Sequence, residues 1–238
     1  MSVDVLAIGA HPDDVELGVG GTLLLMADQG YSVCILDLTR GEAGSRGTVA
    51  KRMKEADKAA GLLEVDDRYN AELPDGGLTN STEQQRKLIP FIRALRPTVI
   101  LCHRRSDRHP DHRAACDLVR DANFFSGVAS IATDEGPYRA PFIYYYNPYF
   151  DDDAAPDIVM DVSEVFEDKL KALEAYKSQL FNPGFEGPDT LVSSEEFWEA
   201  IRTRAAYWGN RIGAEYGEPL YADGPLPLTT LPGLEPEE

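Results

Sequence analysis

Lysine, cysteine and histidine are all scarce in this chain of 238 residues, and each scarcity narrows what the protein can be. Only Lys51, Lys54, Lys58, Lys87, Lys169, Lys171 and Lys177 are lysines, within a set of 23 basic residues that faces 41 acidic ones. The formal charge of −18 excludes a basic nucleic-acid binder. An acidic, lysine-poor surface suits a salt-rich cytoplasm, where carboxylates are screened, and an ordinary acidic bacterial enzyme equally well. The three cysteines, Cys34, Cys102 and Cys116, stand singly among apolar or helical residues, which excludes a disulfide framework and fits buried thiols in a reducing compartment. No apolar run approaches the ~20 residues of a membrane span, and MSVDVLAIGA runs into a strand without a cationic start. A cytoplasmic protein with no membrane partner is expected. What is present is 43% hydrophobic and 9% aromatic residues, enough for one domain with a sizeable core.

Val3 to Gly9 reads as a wholly apolar strand, Leu17 to Gln29 as a helix ended by Gly30, and Tyr31 to Leu38 as a second buried strand. Strand, helix and strand in so short a span form a βαβ unit, which implies a parallel sheet. The alternation continues with a helix from Thr48 to Leu63, a strand at Arg68 to Glu72, a helix from Thr82 to Leu95, a strand at Thr98 to Cys102 and a helix from Pro110 to Ala122. The expected fold is α/β and Rossmann-like, a mostly parallel sheet with helices on both faces. Phe142 to Pro148 and Ile158 to Val162 read as further strands, with an exposed turn at Asp151 to Asp153. Helices at Ser163 to Gln179 and Ser194 to Tyr216 follow. From Gly217 the prolines suggest an extended tail, so residues 1–222 are expected to form a single domain and 223–238 an acidic, proline-rich tail. Ligands of such sheets bind outside the carboxyl ends of the strands.

Of four histidines, three lie in two clusters that each follow a buried strand: His11 in AHPDD (10–14), and His109 and His112 in HPDH (109–112). Two histidines and a carboxylate converging on one rim make a zinc or iron(II) site with an open position, as a hydrolytic metal centre requires. The plainer reading makes these helix-start motifs, with Asp as cap and Pro in the first turn, and the two readings are compatible.

AHPDD, the run ELGVGGTL and DRHPDH resemble the LmbE/PIG-L family of zinc-dependent N-acetylglucosaminyl deacetylases. RGEAGSRGTVAKRMKEA, LPDGGL, YYYNPYF, LEAYKSQ and IGAEYGEPLY resemble its bacillithiol-biosynthesis branch, which deacetylates N-acetylglucosaminyl L-malate, so the likeness runs from about residue 3 to 222. The resemblance implies His11, Asp14 and His112 as metal ligands, Asp13 as general base, and His109 as a second catalytic histidine that is oriented by Asp111 and protonated. Spacing alone leaves His109 and His112 interchangeable as ligand, and only the resemblance selects His112. It also implies a homo-oligomer, a hexamer in particular.

Specificity is expected from other rim loops. Asp75 in LPDGGL offers an acceptor to sugar hydroxyls, or is a plain Asp-Gly turn. A dianionic malate calls for guanidinium partners, for which Arg52, Arg139 and Arg46 are the candidates; each is otherwise a surface ion pair. His103 reads as a rim or core histidine, and Gly18, Gly20 and Gly21 as close-packing rather than phosphate-binding glycines. Tyr144, Tyr145, Tyr146 and Tyr149 read as a packed strand, and Trp198 and Trp208 as core or interface anchors. The rival readings are a sugar- or nucleotide-binding protein without turnover, a deacetylase or amidase acting on another conjugate such as the mycothiol precursor, and a structural assembly protein.

Overall fold

The structure, a computed structural model, describes residues 2–149 and 154–227. Five parallel strands form the main sheet: β1 (Val5–Gly9), β2 (Val33–Asp37), β3 (Asp67–Asn70), β4 (Val99–His103) and β5 (Phe142–Tyr146), in the order β3-β2-β1-β4-β5. β1 lies at the centre, with Val5 opposite Val33 on one side and Val99 on the other.

Alternate residues of β1 serve opposite faces, because successive strand side chains point to opposite sides. Val5 and Ala7 join Val33, Ile35 and Leu101 under α1 (Asp14–Asp28), α2 (Val49–Leu62) and α5 (Phe166–Leu173). Leu6 and Ile8 join Cys34, Leu36, Ile100 and Cys102 under α3 (Thr82–Leu95) and α4 (Pro110–Ser126). The α/β sheet with helices on both faces is thus as the alternation predicts, and all three cysteines are free and buried. Gly18 packs against Tyr146, whose ring would stand 2.2 Å from a Cβ there. Trp208 is buried, and Trp198 packs on the core from α6 (Glu195–Ile212).

The C-terminal third departs from expectation. β6 (Ile158–Asp161) pairs antiparallel with β7 (Gly217–Leu220), a strand that the prolines disguise as tail. Pro219 is tolerated because a two-stranded ribbon leaves each strand an edge. Tyr221 then bridges back to Tyr145. β7 is fixed by Glu218, whose buried carboxylate accepts from Gly21 N, Thr22 N, Thr22 Oγ1 and Lys169 Nζ at 2.6–2.9 Å. The helix expected to reach Gln179 ends at Leu173, and tighter turns follow, with Tyr176 N donating to Leu173 O and Gln179 N to Tyr176 O. These turns carry Tyr176 and Ser178 to Glu16 and Glu55. The turn at Asp151 to Asp153 and the tail beyond 227 lie outside the described residues.

Candidate active site

The loops after β1, β2, β3 and β4 open on one rim around a cavity of 420 Å³. Asp13 ends the first loop with φ of 118°, a left-handed conformation that costs a non-glycine residue about 1–3 kcal/mol and persists only where surroundings enforce it. It occupies the N-cap position of α1, yet its side chain caps nothing. The carboxylate turns to Arg52 instead, with Oδ2 3.0 Å from Nη2. Arg52 also donates to Pro12 O from Nε and Nη2, holding the strained turn from α2. Burial raises the Asp13 pKa to about 7, with Arg52 opposing and Asp14 reinforcing the shift.

Asp14 is the hub. Oδ2 accepts from His11 N at 2.8 Å and lies 3.2 Å from His11 Nδ1 and from His103 Nε2, while Oδ1 lies 3.2 Å from His112 Nε2. His112 is fully buried; its Nδ1 is 2.9 Å from Asp107 Oδ2, and its Nε2 has no hydrogen-bond partner among the described residues. The outer nitrogen of His11 is held the same way, with Nε2 3.1 Å from Asp75 Oδ1 and 3.4 Å from Asp111 Oδ2. Carboxylates on the outer nitrogens of two histidines whose inner nitrogens converge are the usual support of metal-binding imidazoles. The charge balance points the same way. Burial disfavours charge on His112, yet Asp14 and Asp107 raise its pKa to about 9, and burial likewise fails to keep Asp14 from being held far below the carboxylate range by His112, His103 and His11. Asp14 and Asp107 thus favour positive charge at this point. The groups able to hold a cation are His11, His109 and His112; Asp14, His103 and His112; and His11, Asp75 and Asp111.

His109, half-buried, caps α4, and its Nδ1 accepts from Asp111 N at 3.2 Å. In a neutral ring the proton therefore sits on Nε2. Burial and the charges of His112 and His11 lower its pKa, against the expectation of an imidazolium. The Asp111 side chain, expected to orient His109, accepts instead from Gly76 N at 2.7 Å and meets His11, so it is the Asp111 backbone that sets the His109 tautomer.

Asp75 lines the cavity, but its oxygens already serve His11 and Ala43 N. Arg46 lines it too, with Nε donating to Ser178 O, Nη1 to Pro188 O and the guanidinium over the Phe185 ring. Arg139 is the one predicted site residue that the structure does not bring here. It donates to Phe124 O beyond the middle of α4, whose 17 residues span about 25 Å from the HPDH end. His103 proves to be a core histidine: Nε2 accepts from Ala10 N, its ring stacks on His112 at 4.1 Å, and burial with the His112 charge lowers its pKa to about 4.

The PIG-L family, described as GlcNAc-PI de-N-acetylase, matches residues 6–123, which include every charged residue of this cluster. A diacetylchitobiose deacetylase of Thermococcus kodakarensis is 30% identical over 230 residues, spanning 90% of this chain and 80% of the relative. The chain belongs to the PIG-L deacetylase family. A probable N-acetyl-alpha-D-glucosaminyl L-malate deacetylase 2 of Bacillus cereus is 29% identical, covering 75% of this PIG-L chain and 84% of its relative. The crystal structure of a conserved protein from Thermus thermophilus superposes with a TM-score of 0.86 at 36% identity, over 98% of this chain and all of the other.

Asp107 and Tyr149 also meet this cluster, and the sequence alone assigns neither to it. Asp107 stands inside the DRHPDH motif, and its place five residues before His112 was the available signal. Tyr149, read as part of a packed strand, follows β5 and lines the cavity with its ring on His112, 5.2 Å between centroids. No signal short of the fold places it there.

Proposed function

We propose that this chain is a metal-dependent N-deacetylase that hydrolyses the acetamido group of an N-acetylglucosamine conjugate, with His11, Asp14 and His112 as metal ligands. The reading rests on Asp13, a buried, strained carboxylate that caps no helix, beside histidines and carboxylates close enough together to hold a cation. A divalent cation there supplies Lewis acidity that polarises the amide carbonyl and acidifies water, and the nitrogen and oxygen donor set suits zinc and iron(II). Asp13 takes the proton of the attacking water, its carboxyl raised by burial toward neutrality, where a general base works well. Water adds to the acetyl carbon, the C–N bond breaks, and the proton passes to the departing nitrogen, leaving acetate and a free amine. His109 offers its Nε2–H to the oxygen that gains charge. The choice of His112 over His109 as ligand is supported by their settings, one fully buried and anchored by Asp107, the other half-buried on the cavity wall.

The conjugate we propose is N-acetylglucosaminyl L-malate. Support comes from the branch-like segments, the Bacillus cereus relative, and two arginines on the cavity wall, Arg46 and Arg52. A neutral substrate of the diacetylchitobiose kind is the second reading, favoured by the Thermococcus relative and by the carbonyls that already occupy both guanidinium groups. Amine release from the malate conjugate, the inositol conjugate and diacetylchitobiose, on zinc- and iron-loaded protein, decides between them. The malate conjugate is expected to give the highest kcat/KM, and a preference for either other compound overturns that choice.

A further inference from the structure

Part of the cavity wall comes from the segment after α5, beyond the stretch that the PIG-L family matches, and includes Gln179, Thr190 and Val192. Gln179 is held there by a chain of buried polar bonds. Ser178 N and Oγ both donate to the Glu55 carboxylate on α2. With its proton so committed, Ser178 Oγ accepts from Gln179 Nε2 at 2.9 Å, and the second Nε2 proton goes to Arg46 O at 2.8 Å. A carbonyl oxygen only accepts, so the amide orientation is fixed: nitrogen toward Arg46 O, oxygen away from it. Gly47, at φ +72°, makes room for the arrangement, since a Cβ there would stand 2.8 Å from Ser178 Oγ. Gln179 Oε1 takes no bond from the described residues and is not among the buried unpartnered atoms, although the residue is 5% exposed and lines the cavity. Oε1 is thus the unpartnered and not fully enclosed polar atom of a side chain that lines the cavity.

We propose that Gln179 is a specificity-determining residue whose Oε1 accepts a hydrogen bond from a hydroxyl of the substrate's sugar ring. This rests on the deacetylase reading and deepens it. An acceptor fixed in place pairs with a hydroxyl donor and repels a carboxylate, so Gln179 reads the sugar and not an acidic aglycone. A site built to pair a hydroxyl also rejects an analogue that lacks it, because the oxygen is then left without a partner.

The test is calorimetric binding of methyl glucosaminide, a product-like probe that needs no turnover, and of its 3-, 4- and 6-deoxy forms. Wild type should bind one deoxy form about 5- to 10-fold more weakly than the parent. Gln179→Leu should bind the parent weaker by the same factor and lose nothing further with that deoxy form. Gln179→Met, of similar length without the amide, carries the same test if the leucine variant does not fold. The proposal is overturned if wild type does not bind the probe, if Gln179→Leu binds the parent as wild type does, or if its losses multiply with every deoxy form. Acetate release from N-acetylglucosamine conjugates is measured separately, so a wild type that binds the probe without releasing acetate fails the deacetylase reading alone.

Discussion

Asp13 and Arg52 form the pair on which the proposed chemistry turns. The guanidinium lowers the pKa of a carboxylate that burial raises, so removing it has a definite sign. Arg52→Gln should raise the Asp13 pKa; the ionised, proton-accepting form then appears only at higher pH, and the acidic limb of kcat/KM moves upward. A limb that stays in place or moves down in the pH profile contradicts this pairing. Asp107 acts one step further out, through His112 Nδ1. Asp107→Asn should weaken metal affinity by about 10- to 100-fold in a competition titration, and unchanged affinity would separate Asp107 from the metal site.

At the scale of elements, the short ribbon of β6 and β7 is tied to the rest of the molecule through Glu218 and Lys169. Both are buried, and Lys169 Nζ also reaches Leu17 O on α1. Glu218→Ala leaves the ammonium without its counter-charge, which should cost about 3–5 kcal/mol in denaturant unfolding. Replacing both, with Glu218→Gln and Lys169→Met, should cost less than the single change, because no charge is left buried. Sequence legibility divides along the same line. Strands β1, β2 and β4 are readable because apolar runs bounded by turns are local signals, and the two histidine motifs follow directly from where β1 and β4 end. β7 was hidden because its anchor partners, Gly21 and Thr22, lie almost two hundred residues away and no periodicity records them. Arg46 and Asp75 line the cavity, and their ties to Pro188 and His11 are likewise products of the fold. Arg139 lies at the other end of α4, on Phe124 O, a placement that depends on the length of that helix.

At the scale of the molecule, the charge of −18 opposes any anionic substrate. If the malate conjugate is the substrate, kcat/KM should rise as salt screens the field across the range in which the Debye length falls from ~30 Å to ~10 Å. Diacetylchitobiose, being neutral, should show no such slope in the same assay. A fall in kcat/KM with moderate salt on the malate conjugate would mean that Arg46 and Arg52 outweigh the acidic surface. No helix among the described residues is long and apolar enough to cross a membrane.

In the proposed reaction Asp13 is a base beside a metal that it does not itself bind. Metal content and acetate release, measured together on wild type and Asp13→Asn, test it most directly. The asparagine variant should keep the wild-type metal content while acetate release falls by about 10²- to 10⁴-fold. Acetate release at the wild-type rate from the variant, or from wild type stripped of metal by a chelator, would contradict it.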